Sequence, residues 1–113
     1  MTWSSDKADA DRMVAELLEM IEELSSKHGQ PAGSIRLAIY PTPHDYRYLR
    51  GNDPWSWEHH TAVVHASARE LKRRGYDIDL IDCTAEGCAA WLNERGLIGT
   101  QKNRAAYVAF RTG

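Results

Sequence analysis

Two short alternating apolar stretches flank a helical stretch of nineteen residues. Ile35, Leu37 and Ile39 alternate with Arg36 and Ala38 between Gly33 and Pro41, the pattern of a half-buried strand. Tyr76, Ile78 and Leu80 alternate with Asp77 and Asp79 in the run 76–82 and predict a second strand. Between them, residues 56–74 set Trp57, Ala62, Val63, Ala66 and Leu71 at helical spacing. Ser56 is the expected N-cap, Arg69, Lys72, Arg73 and Arg74 suit the negative end of the dipole, and Gly75 terminates the helix. A tight hairpin has no room for such a link. The two strands are therefore expected to be parallel, with the helix as their crossover.

The other elements follow from the same signals. Residues 6–28 read as a helix capped by Ser5 or Asp6, preceded by a flexible tail at 1–5 and stopped at Gly29 and Pro31. Its stripe of Ala10, Val14, Leu17, Ile21 and Leu24, widened by Met13, Leu18 and Met20, suits packing on a domain core. The same stripe would serve a homodimer through helix 6–28. Thr84 caps a predicted helix over 85–95 that turns Cys88, Ala89, Trp91 and Leu92 inward. For residues 104–111, Thr100 favours a helix, whereas Tyr107, Val108 and Phe110 favour a strand. Two strands alone make a poor sheet, so the segment is assigned as a third strand. The expected fold is a small single α/β domain over 1–113 in the order α-β-α-β-α-β, with a short, mostly parallel sheet flanked by helices.

At 113 residues the chain can bury a core without disulfides, and Cys83 and Cys88 have neither redox nor zinc spacing. No apolar run approaches the roughly 20 residues of a membrane span, and no signal-peptide pattern opens the chain. A reduced cytoplasmic setting is expected. The net charge of −2 argues against nucleic acid as a partner. Residues 1–30 hold seven acids against three bases, so an acidic first helix precedes a weakly basic body.

Residues 41–60 concentrate three Pro, three His, two Arg, two Tyr and two Trp in what reads as a long functional loop, 41–55, and the start of a helix. Large multifunctional side chains on a connection point to binding, and this one leaves the carboxyl end of the first strand, where open parallel sheets bind ligands. Tyr46, Arg47, Tyr48, Arg50, Trp55 and His59 are the expected binding residues, because Tyr, Trp and Arg dominate interface anchors.

Catalytic chemistry is less well supported by the pattern. His59 and His65 lie roughly 120° apart around a helix at about 100° per residue, and the adjacent His59 and His60 also diverge. No metal site and no cofactor are expected. His44 and Asp82, at neighbouring strand ends, are the one acid–base pair the topology suggests, with Arg47 or Arg50 as an anion clamp. The glycines lack phosphate-loop spacing. The expectation is a binding or adaptor protein whose 41–60 segment meets another protein; the alternative is a hydrolase or transferase acting on an anionic small molecule.

Overall fold

The computed structural model describes residues 2–28 and 34–113. Among them are five helices and two strands: α1 (Thr2–His28), β1 (Ile35–Ile39), α2 (Pro43–Arg50), α3 (Trp57–Arg73), β2 (Ile78–Asp82), α4 (Ala85–Glu94) and α5 (Gln101–Thr112). The protein is mixed α/β with a two-stranded parallel sheet. Both strands, the crossover helix and α4 lie where their periodicity and caps place them.

Three differences stand out. The order is α-β-α-α-β-α-α, because residues 43–50 are helical and the last segment is a helix rather than a third strand. In that segment Thr100 accepts the Asn103 N–H and starts α5, which buries Tyr107 and leaves Phe110 exposed. Ala105, Ala106 and Ala109 reinforce the helix by their propensity. Finally, α1 begins at Thr2, a turn before the caps proposed at Ser5 or Asp6. Adding residues to an existing helix carries no nucleation penalty. The predicted stop at Gly29 and Pro31 lies outside the described residues.

The chain divides into two compact units. One comprises residues 1–35 and 62–79. There Ala10, Val14, Val63, Val64, Ala68, Leu71 and Ile78 are buried, and Met20 is exposed. Ser67, fully buried, donates its hydroxyl to the Val63 carbonyl at 2.7 Å, and its Oγ stands 3.5 Å from the Ala10 carbonyl. β1 and β2 meet here through the Ile35 N–H, which donates to Asp77 O at 2.8 Å.

The other unit comprises residues 36–61 and 80–113. Its core gathers Tyr40, Tyr46, Leu49, Cys83, Cys88, Leu92 and Tyr107, with Ala38, Tyr48, Trp57, Trp91 and Val108 packed against it. The Cys83 N–H donates to Ile39 O at 2.8 Å, which continues the parallel register to the strand ends. In this unit α2, α4 and α5 pack on one another. Thr84 caps α4 by accepting the Gly87 N–H at 2.9 Å. A Cβ on Gly87 would fall 2.5 Å from the Tyr107 hydroxyl, so glycine is what allows α5 to approach so closely.

Candidate functional site

The segment expected to be a loop is organised by α2. Thr42 accepts the Asp45 N–H at 3.2 Å and donates its hydroxyl to Asp45 Oδ2 at 2.8 Å, a reciprocal cap. Pro43 occupies the first turn, where a missing N–H costs nothing. Asp45, Tyr46 and Leu49 turn inward, while His44, Arg47 and Arg50 are exposed and Tyr48 is half-buried. The helix ends at Gly51, whose φ of 60° lies in the left-handed region and whose N–H donates to Arg47 O at 2.9 Å. Gln101 Oε1 lies 2.7 Å from the point a Cβ on Gly51 would occupy.

Behind α2 sits a group of aromatic and charged side chains. Arg50 Nη2 donates to Asp53 Oδ2 at 2.5 Å, and the Trp55 N–H donates to Asp53 Oδ1 at 3.0 Å. The Tyr40 and Tyr46 rings meet edge to face, with centroids 5.5 Å apart. His60, only 4% exposed, lies 5.3 Å from the Tyr40 ring, 5.0 Å from Tyr46 and 6.1 Å from Trp55. Trp57 Nε1 donates to Tyr40 O at 2.7 Å and ties the start of α3 to the end of β1.

This enclosure sets the charge states. Burial, reinforced by the nearby Arg50 cation, pushes the His60 imidazole down to about 4, so it is neutral near pH 7. Burial works against the Asp53 charge, but the Trp55 N–H, Tyr46 and Arg50 outweigh it and hold the carboxyl below its usual range. Burial raises the Tyr46 phenol to about 12 and raises Tyr40 as well. The Tyr40 hydroxyl faces Arg50 and the Tyr46 hydroxyl faces Asp53. Neither reaches hydrogen-bond geometry, so both are buried without a partner, as is His60 Nδ1. Such groups are costly to bury, which makes their concentration here notable.

Next to this group lies an open cleft of about 370 Å³ lined by Tyr40, Leu49, Arg50, Gln101, Ala105 and Val108. Gln101 Nε2 donates to Leu49 O at 2.8 Å, which leaves its Oε1 as an acceptor. Arg104 lies 4.1 Å over the Tyr48 ring and donates from Nη1 to Tyr48 O at 3.3 Å, clamping α5 to α2. The two helices carry Arg47, Arg50, Lys102, Arg104 and Arg111. Their one acid, Asp45, is buried and already committed, its Oδ1 accepting the Ala85 N–H at 2.8 Å.

No protein-family model matches this chain, and no curated protein matches it significantly. The geometry alone therefore carries the argument.

Among the expected binding residues, Arg47 is exposed, with its guanidinium 5.9 Å from the Tyr46 ring. Arg50 is held by Asp53 and lines the cleft. Trp55 and His59 are half-buried and meet edge to face at 4.8 Å. Tyr46 has no exposed surface and belongs to the core. The His44 ring faces Tyr48, and the Asp82 backbone carbonyl accepts from Arg111 Nη2 at 3.1 Å. No group of three or more potential metal-ligating residues occurs among the described residues. Tyr40, Gln101, Ala105 and Val108 were not foreseen as part of the site. Thr42 followed by Pro43 and then Asp45 was the overlooked sign that 43–50 is a helix able to face another helix.

Proposed function

We propose that this chain is a binding module whose 41–60 segment docks another protein, with α2 and the adjoining face of α5 as the contact surface. The charge distribution of the two helices carries this reading. Arg50 is paired with Asp53, but Arg47, Lys102 and Arg104 have no acid exposed on either helix to offset them, and a surface of that kind selects an acidic partner. The aromatic groups that interfaces favour are also present, half-buried and held from behind, in Tyr48 and Trp55. Rigid presentation lowers the entropy lost on docking. The interleaved caps of α2 and its buried Tyr46 and Leu49 supply that rigidity.

The test reverses charge on the rim and leaves the cleft intact. Tagged wild-type protein and an Arg47→Glu, Lys102→Glu variant are used to capture partners from native soluble extract, with crosslinking to locate the contact. The expected result is a stoichiometric, acid-rich partner crosslinked to α2 or α5. Its capture is lost in the variant and weakens between about 0.05 M and about 0.5 M salt. Equal capture by both proteins would overturn the proposal.

A further inference from the structure

We infer that the α2–α5 cleft receives the carboxyl-terminal residue of the partner, a free α-carboxylate next to an apolar side chain. This inference rests on the protein-docking reading above and names the chemistry of the partner at one point of that surface.

Three properties of the cleft converge on such an occupant. Arg50 stands at its wall with a side chain 42% exposed, and Asp53 takes one of its five N–H donors. The bond to Asp53 fixes the guanidinium plane and leaves donors for a carboxylate, which Arg recognises through paired N–H groups. Gln101 contributes a second polar group of opposite sense. Its amide nitrogen is engaged by Leu49 O, which leaves Oε1 as an acceptor for an N–H of the occupant. Leu49, Ala105 and Val108 form the apolar remainder of the lining.

A carboxylate, an amide N–H and an apolar group on adjacent atoms describe the last residue of a polypeptide. The volume agrees. At about 370 Å³ the cleft is near the lower end of ligand pockets, roughly 300–1,000 Å³, and has room for about one or two residues. A chain terminus needs a single way in, which suits a cleft of this size, and capture of a terminal carboxylate is a recurring mode of peptide recognition.

A second observation points to the same place independently of the charges. Tyr40 lines the cleft, is 2% exposed and has a buried hydroxyl without a hydrogen-bond partner facing Arg50. An unpaired buried hydroxyl is a cost that a purely structural core would avoid with phenylalanine.

The probe is N-acetylleucine, the smallest molecule with all three groups, titrated into the full chain and followed by amide NMR shifts. Binding is expected with a dissociation constant on the order of 1 mM, the shifts centred on Arg50, Gln101, Ala105 and Val108. N-acetylleucinamide, which lacks the carboxylate, and 4-methylpentanoate, which lacks the N–H, should each bind about tenfold more weakly or worse. Arg50→Gln should reduce binding of N-acetylleucine by at least about tenfold. Because Arg50 also has internal contacts, Ala105→Trp, at an exposed position, provides a second variant that fills the cleft and should abolish binding. Equal binding of the acid and its amide, equal binding of 4-methylpentanoate, shifts away from the cleft, or no binding at all would overturn the inference. The two proposals fail separately. Rim variants that lose a captured partner while N-acetylleucine never binds refute the cleft alone, and the converse result refutes only the protein-docking reading.

Discussion

Asp45 Oδ1 accepts the Ala85 N–H at 2.8 Å while Asp45 Oδ2 accepts the Thr42 hydroxyl, so one carboxylate caps the first turn of α4 and braces the threonine that caps α2, forty residues away in the chain. α2 and α4 are therefore tied together at their starts, and α2 is set in place by α4 as well as by its own sequence. Each orphan N–H at a helix start is otherwise a loss, larger when it is partly buried.

Asp45→Ala should destabilise the protein by about 1–3 kcal/mol, because the partly buried Ala85 N–H is left unpaired and the Thr42 hydroxyl loses its acceptor, while the Asp45 N–H still caps onto Thr42. Asp45→Asn keeps an acceptor for Ala85 and should cost about half as much. Urea unfolding with a common m-value measures both. An Ala variant as stable as wild type would show that the Asp45 carboxylate contributes nothing.

Gly87→Ala should also destabilise, although alanine is the better helix former by about 1 kcal/mol. The added methyl would sit 2.5 Å from the Tyr107 hydroxyl and 2.9 Å from Thr84 Oγ1, and the buried Tyr107 ring has little freedom to retreat. Removing the hydroxyl with Tyr107→Phe should therefore reverse most of the penalty. A double-mutant cycle in thermal unfolding reads the coupling directly, and purely additive effects would refute the contact.

His60 should make stability fall on acidification. Its folded-state value of about 4 lies below the ordinary value of 6.5, so the unfolded chain binds this proton more readily than the folded one. The contribution is fully present above pH 6.5 and is lost progressively as the pH falls towards 4, by up to about 3 kcal/mol. Replacement by the non-titrating His60→Gln should flatten the profile across that window, whatever it does to stability at pH 7. Denaturation midpoints from pH 4 to pH 7 check this, and parallel profiles would exclude His60 as the source.

Elements with many apolar positions or strong punctuation could be read from the sequence. The helix predicted over 56–74 is observed at Trp57–Arg73, and the alternation at Ile35, Leu37 and Ile39 marks β1 correctly. In contrast, α2 has eight residues and only Tyr46 and Leu49 as an apolar pair, too few for periodicity to register. Pro43 stands at the first helical position, where proline favours a start, a signal that residue type alone does not separate from a break. For 104–111 the demand for a third strand outweighed the Thr100 cap, and the local signal proved the better guide. The site divides in the same way. Arg47, Arg50, Tyr48 and Trp55 are recognisable by residue type, whereas the burial of Tyr46 and the contribution of Gln101 arise from contacts across about fifty residues of chain. Such contacts leave no local trace.

Cys83 and Cys88 both lie fully buried in the core beside the cleft, and burial raises both thiols above their ordinary value. An alkylating reagent can reach them only when that core opens. The protein thus carries an intrinsic clock for its own excursions, without any engineered label. Whatever occupies the adjoining cleft should slow that clock in proportion to how firmly it is held.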